Sequence, residues 1–302
     1  MKNKLPNFLI VGAAKCGTSS LHNYLNQHPD IFMPSFNKEG VNVKEPQFLI
    51  KNQVKERLHF GIWKWEEYKS LFNKTEKYKA VGESSVFYLH FYKEAIKNIK
   101  EKLGHNIKII IMLRNPVDRA YSAYQHVARG LVEQLTFEQA LKIENKRLEK
   151  DKSLTPMVLY KEMGMYYEMV KAYSESFNDV FIILHEDFSN NTDKVLKNVF
   201  QFLEVNQNQK IDYSKRHNVG GTRWKSNSLK KILMKENKFK RLLKRILPKM
   251  IKNKIWEKLS KASTNKVKPM KKETREFLNN YFQENIIKLS NLIDENLTLW
   301  KK

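Results

Sequence analysis

Three features of the sequence predict an α/β fold built on a parallel sheet with helices on both faces. First, Phe8 to Val11, Ile107 to Leu113 and Val180 to Leu184 are short, almost uninterrupted apolar runs. Such runs suit strands buried on both sides. Second, each run ends in a glycine or a polar cluster. Third, apolar residues at helical spacing follow that cluster. Strands alternating with helices make a parallel sheet. The 302 residues are 41% hydrophobic, enough for a packed core. The expected organisation is a single domain over 1–302, with a basic helical segment inserted near the C-terminus at 225–272.

Taken in order, Phe8 to Val11 ends at Gly12, and Gly12 to Ser20 is a small polar loop. Leu21, Tyr24 and Leu25 then mark a helix, which Pro29 is expected to end. Val41 to Lys44 predicts a second short strand closed by Pro46, and Ala80 to Gly82 a third that leads into Glu83-Ser84-Ser85. Ile107 to Leu113 is the clearest strand. Arg114-Asn115-Pro116 ends it, and Val117 to Val127 has helical spacing. Val180 to Leu184 ends in His185-Glu186-Asp187, and Val195 to Leu203 is an amphipathic helix. Asn218 to Thr222 reads as a loop, Leu229 to Leu259 as basic amphipathic helix interrupted at Pro248, and Thr274 to Leu292 as a final amphipathic helix. Ligands of such sheets bind at the carboxyl ends of the strands. Lys15, Glu45, Glu83, Arg114 and Glu186, each expected just after a strand, are therefore the polar residues to weigh.

Composition narrows the partners. The formal net charge is +24. The stretch Lys225 to Lys272 holds 18 Lys or Arg against 2 Glu, or +16 of that total. A charge of this size fits nucleic acid, an anionic membrane surface, or an anionic substrate. No recognition motif points to nucleic acid. Cys16 is the single cysteine, so no internal disulfide forms and no oxidising compartment is implied. No Cys or His cluster has metal-ligand spacing, so no metal is expected. No apolar run reaches the roughly 18 residues of a membrane helix, and Met1 to Pro6 lacks the pattern of a secretory leader. The expected location is cytoplasmic, with the basic segment as a route to a peripheral position at a membrane.

Gly12 to Ser19 (GAAKCGTS) carries the chemistry. A glycine-bearing turn between a strand and a helix cradles anions, because its N–H groups converge and the helix dipole adds partial positive charge. The two glycines have P-loop spacing, so the sheet is P-loop-like. The lysine does not follow the nucleotide triphosphate pattern. That pattern has Lys directly after the second glycine, where this chain has Thr18, and Lys15 lies two residues before Gly17. The loop suits a shorter phosphate chain.

This segment resembles the 5′-phosphosulfate loop of the sulfotransferases that use PAPS (3′-phosphoadenosine 5′-phosphosulfate). A second segment, Arg114-Asn115-Pro116-Val117-Asp118-Arg119-Ala120-Tyr121-Ser122, resembles their 3′-phosphate motif. The two lie in the family's order, about 100 residues apart. Weaker matches are Lys44-Glu45-Pro46-Gln47-Phe48, Gly82-Glu83-Ser84-Ser85, His185-Glu186-Asp187-Phe188 and the tail from Pro269 to Trp300. They resemble the glycan branch of that family, related to the heparan sulfate enzymes, and extend the likeness over most of the chain.

The resemblance implies the following roles. Lys15, Cys16, Gly17, Thr18, Ser19 and Ser20 hold the 5′ end of the donor, and Arg114 with Ser122 holds its 3′-phosphate, a planar guanidinium being suited to bidentate phosphate contact. Lys15 steadies the leaving group. Glu45 is the candidate base, burial being the means of raising its pKa, and Glu83, which could instead pair with Arg119, is the runner-up. Among the histidines, His90 and His126 are candidates for the acceptor site, while His22 and His185 read as structural. Cys16 reads as a small filler whose backbone matters. The glycan enzymes also have a Lys-Gly-Arg loop near the C-terminus that contacts the donor. The stretch Lys266 to Lys268 lacks the glycine, and Arg223 and Lys225, after Gly220-Gly221, are the substitutes. The expected reaction moves a sulfuryl group from PAPS to a hydroxyl or amine of a glycan or glycolipid. The competing readings are a P-loop kinase or NTPase, and a basic protein that binds a membrane surface through 225–272.

Overall fold

A computed structural model of the chain describes residues 5–36, 40–130, 132–214, 222–224 and 263–301. Five strands form one parallel sheet: β1 (Phe8–Gly12), β2 (Ile31–Phe32), β3 (Ala80–Ser84), β4 (Lys108–Leu113) and β5 (Val180–Leu184), in the order β2-β3-β1-β4-β5. β1 is central and wholly buried, with Phe8 opposite Gly82 on one side and Lys108 on the other. Its FLIVG sequence has no polar face because neither face meets water.

Two groups of helices cover the sheet. One gathers α1 (Thr18–Leu25), α8 (His185–Asn190) and α9 (Thr192–Phe202), joined by the Tyr24–Phe188 ring contact and, from the turn after α1, by the His28–Phe200 contact. The other packs α4 (Tyr92–Lys102), α5 (Pro116–Arg129), α7 (Tyr166–Ser176) and a long final helix, Lys272–Ile293, together. Two short helices, α2 (Lys51–Val54) and α3 (Trp65–Ser70), lie between β2 and β3, and α6 (Phe137–Lys150) follows α5. The final helix is therefore α10. It is tied to α5 by Arg275 to Asp118 at 2.7 Å.

Several expectations need correction. Val41 to Lys44 is no sheet strand; it touches extended chain only through an isolated Phe36–Asn42 bridge, and the edge strand is instead the two-residue β2. Pro46 and the polar Asn42 and Lys44 leave too little apolar surface there to join the sheet. Glu45 thus lies on a loop rather than after a strand. α1 ends at Leu25, before Pro29. His185 to Asp187 opens α8 instead of extending the end of β5. α6 and α7 had not been anticipated, although Thr136 and Gln139 form a reciprocal capping box at the start of α6, a pattern legible in sequence.

Most of the basic insertion, 225–262, lies outside the described residues. Its last part is not helical: β7 (Thr264–Lys266) pairs antiparallel with β6 (Thr222–Trp224), and α10 begins only at Lys272. Among the described residues no helix is long and apolar enough to cross a membrane.

Two charged side chains lie deep in this scaffold. Arg119 is fully buried and donates to the Tyr160 carbonyl, not to Glu83. Glu83 sits inside β3, fully buried, and neither of its carboxylate oxygens reaches a hydrogen-bond partner. Burial pushes its pKa up to about 7 from 4.5, although the hydroxyls of Tyr88, Tyr68 and Ser85 nearby pull the other way.

Folded Glu83 keeps its proton in the range where the unfolded chain has lost it. Its contribution to stability therefore falls as pH rises from about 4.5 to about 7. Glu83→Gln is expected to flatten that part of the stability–pH curve and to stabilise the protein relative to the parent at pH 8. Urea unfolding at pH 5 and pH 8 checks this.

Candidate active site

The loop after β1 is shaped by backbone constraints. Gly12 has φ of 153°, and a Cβ there would come within 2.7 Å of the Leu89 Cβ and 2.9 Å of the Val86 carbonyl. Only glycine fits both the conformation and the space. The chain then turns through Lys15 at φ 73° and Gly17 at φ 99°. Gly17 is the N-cap of α1 and offers no capping side chain. Gly17 thus brings no side-chain acceptor to the first turn of α1, whose N-terminus carries the partial positive charge by which helix N-termini attract anions.

Arg114 leaves the end of β4 and reaches the Lys15 carbonyl at 3.5 Å. Asn115 caps α5 by accepting from Val117 at 2.9 Å, and its amide donates to the Trp300 carbonyl at 3.2 Å. Its own N–H donates to Glu186 at 3.3 Å. One residue thus joins the end of β4, the start of α8 and the C-terminus, and orients α5, which carries Ser122.

These elements enclose a cleft of about 1020 Å³. Of the residues expected to bind or react, Lys15, Gly17, Thr18, Ser19, Ser20, Glu45, Arg114 and Ser122 all line it. Cys16 does not. Its thiol is buried 3.8 Å from the Tyr166 hydroxyl, and burial pushes its pKa up to about 11. Cys16 therefore adds only backbone to the loop. Glu83 is also absent from the wall, which removes it as the runner-up base. Of the two histidines expected at an acceptor site, His126 lines the cleft and His90 does not; His185, read as structural, does. His22 is buried, its pKa pushed down to about 3 by burial and then by Lys44. Arg223 lies on β6, which packs against α5, and Lys225 lies outside the described residues.

Sequence reasoning missed Arg57, His59 and Arg129, which also line the cleft. Arg129 and His126 sit on the same helix as Ser122, one to two turns further on, so helical periodicity pointed to them. Arg57 and His59 are brought in by a loop whose path no local pattern reveals.

The electrostatics are one-sided. Among the described residues, the charged side chains of the wall are Lys15, Lys44, Arg57, Arg114 and Arg129 against Glu45, five cations to one carboxylate. Burial, then Arg129 and Arg114, lowers the pKa of half-buried Lys15 to about 8. His126 is held down to about 4 by the surrounding protein, then by Lys15 and Arg129. Such a site favours a ligand with several negative charges. Glu45 is held at both oxygens: Lys44 donates at 2.9 Å and Gln47 at 3.1 Å. Gln47 is itself anchored, its N–H donating to Ser85 at 3.0 Å. A carboxylate so oriented, in the same cleft as a cationic lysine, can take a proton from a group aligned between them.

A family model described as a sulfotransferase domain matches residues 5–290. The crystal structure of a sulfotransferase from Alicyclobacillus acidocaldarius superposes with a TM-score of 0.72 at 29% identity, covering 99% of this chain and 100% of that one. The bifunctional heparan sulfate N-deacetylase/N-sulfotransferase 3 of Homo sapiens is 36% identical over 125 residues, 41% of this chain and 13% of that protein. The membrane-associated sulfotransferase kil1 of Dictyostelium discoideum is 31% identical over 120 residues, 40% of this chain and 22% of that one. The chain thus spans less than a quarter of the length of these two curated relatives.

Lys15 makes the cleft both costly and useful. Its folded pKa of about 8 lies below the ordinary 10.5, so its charge destabilises the fold below pH 8, and that cost fades as pH rises toward 10.5. Lys15→Met is expected to raise the melting temperature at pH 7 while weakening sulfate binding about tenfold or more. Sulfate stays a dianion across this range, so its affinity for the parent should fall as pH rises through about 8, and the variant should lose that step. Calorimetric titrations from pH 6.5 to 9.5 check both.

Proposed function

The chain belongs to the sulfotransferase domain family, and from that premise we propose that it transfers a sulfuryl group from PAPS to a hydroxyl or amine of a glycan or glycolipid. One observation carries the reading: a single cationic cleft unites Lys15 and its loop with Arg114 and Ser122, although Lys15 and Arg114 stand 99 positions apart. Two separated phosphate-binding features suit a donor phosphorylated at both its 5′ and its 3′ ends.

In this reading the loop N–H groups and the hydroxyls of Thr18, Ser19 and Ser20 hold the 5′-phosphate, while Arg114 and Ser122 hold the 3′-phosphate. Arg223 is a further donor contact, supported by the packing of β6 on the helix that bears Ser122. Lys225 is proposed alongside it. The acceptor oxygen or nitrogen attacks sulfur in line. A new bond to sulfur forms as the bond from sulfur to the 5′-phosphate oxygen breaks, and PAP departs with the electron pair. Lys15 stabilises the negative charge that grows on that oxygen, which is worth most where water is excluded. Glu45 takes the acceptor proton, held in place by Lys44 and Gln47. No step calls for a metal.

A glycan acceptor is supported by the heparan sulfate relatives. A cytoplasmic protein that reaches an anionic membrane surface through 225–272 is supported by the concentration of charge there and by a relative named as membrane-associated. The displaced lysine, with Thr18 in its stead, counts against a kinase or NTPase.

Calorimetry with PAP and with ATP plus magnesium tests the donor. PAP is expected to bind, ATP–magnesium to bind far more weakly, and Lys15→Ala and Arg114→Ala each to weaken PAP by about 10- to 100-fold, as loss of a charged hydrogen bond does. ATP–magnesium binding without PAP binding would sink the proposal. Glu45→Gln should lower kcat by about 10²- to 10⁴-fold with PAP affinity unchanged, read on whichever glycan or alkyl glycoside in a panel the parent sulfates. An unchanged kcat would remove Glu45 as the base.

A further inference from the structure

Beyond its charge, the cleft carries exposed apolar side chains to which the proposed donor contacts and chemistry assign no role. Exposed large hydrophobic side chains among the described residues include Val41 at 52%, Phe60 at 64% and Val132 at 44% exposure. All three line the cleft. They come from separate stretches of chain, one just before Lys44 and Glu45, one after α2 and one after α5. Single exposed apolar residues are ordinary on a protein surface. Three that converge from different segments on one concavity mark a surface kept open for a ligand.

These three side chains stand apart from the proposed donor contacts. None of the three belongs to the loop from Gly12 to Ser20 or neighbours Arg114 or Ser122 in sequence. Half-buried Leu58 and Met157 also line the cleft and extend the apolar wall inward. The wall is braced: Arg57 donates to the carbonyls of Asp151 and Leu154, each at 3.4 Å, and so ties the 57–60 stretch to the 151–157 stretch. Apolar surface preformed in this way costs little to organise when a ligand binds.

We infer that the acceptor is amphiphilic, with an alkyl or acyl chain joined to the sugar that receives the sulfuryl group. The sugar sits between Lys15 and Glu45, and the chain lies along Val41, Phe60 and Val132. A wholly hydrophilic glycan would leave these side chains facing water and gain nothing from them, whereas each methylene laid against them adds to affinity. The inference rests on the sulfotransferase reading of the cleft and narrows its acceptor.

The test uses the full chain loaded with PAP. Octyl β-D-glucuronide, kept below its micelle concentration, methyl β-D-glucuronide and a heparosan tetrasaccharide are titrated by calorimetry. The octyl glycoside is expected to bind about tenfold or more tightly than the methyl one. Phe60→Ala and Val132→Ser, both at exposed positions, should erase that ratio without changing PAP affinity. Equal affinity for the two glucuronides, preference for the tetrasaccharide, or no octyl glycoside binding by protein that does bind PAP would overturn the inference. So would a Phe60→Ala variant that keeps the ratio and loses only its association with phosphatidylglycerol vesicles, since these side chains would then serve a membrane surface. Failure of the parent to bind PAP would overturn the donor reading beneath it.

Discussion

The end of β1 is clamped from both sides, and the site depends on that clamp. The Ala13 N–H donates to the Met112 carbonyl at 2.7 Å, binding the loop to β4. Leu89 donates to the Val11 carbonyl at 2.7 Å and Ser85 to that of Ile10 at 3.1 Å, binding the β1 end to the stretch after β3. With the strand immobile, the next residues can only turn sharply, and Gly12 permits the turn because a side chain there would strike Leu89 and the Val86 carbonyl. The same clamp sets the distance from Lys15 to Arg114 and to the loop bearing Glu45, since Ser85 also accepts from the Gln47 N–H. Fixing one strand end thus positions groups from three separate parts of the chain.

That rigidity is what allows like charges to be held together. Lys15 is half-buried and within electrostatic reach of Arg129 and Arg114, which together with burial lower its pKa to about 8. A flexible loop would relax and let the lysine reach water. Here the scaffold keeps it in place, and an anionic ligand relieves the repulsion when it binds. Stability sacrificed in the free protein in this way returns as affinity. Asn115 plays the complementary part on the other side of the cleft, where its bonds to Val117, Trp300 and Glu186 hold α5 at the angle that brings Ser122 to the wall.

The buried and half-buried charged residues divide by their place. Glu45 and Lys15 face the cleft, whereas Glu83 and Arg119 do not, though the four are of similar chemical type. In sequence Glu83 was the runner-up to Glu45 as a base, for both sit in short polar clusters near an apolar run. The difference is the direction in which the strand presents the side chain: β3 places Glu83 among Tyr68 and Tyr88, off the wall of the cleft. Cys16 shows the same effect. It lies between Lys15 and Gly17, yet its thiol turns inward to Tyr166.

Beyond a family resemblance that singled out Arg114 and Ser122, sequence alone determined the parallel sheet, the glycine-bearing loop after β1 and the final helix. Each is encoded locally, by an unbroken apolar run, by glycine at a turn, or by helical spacing, and such signals need no knowledge of distant residues. The edge strand β2 escaped because two residues carry no period, and the strand expected at Val41 to Lys44 failed because its polar residues had no second apolar face to bury. Only the tertiary structure decided which cations share a cleft, that Arg57 braces one wall of it, and that Val41, Phe60 and Val132 line that same cleft. Those relations join residues up to about 100 positions apart through packing, and packing depends on how whole elements fit together, which no single window of sequence contains.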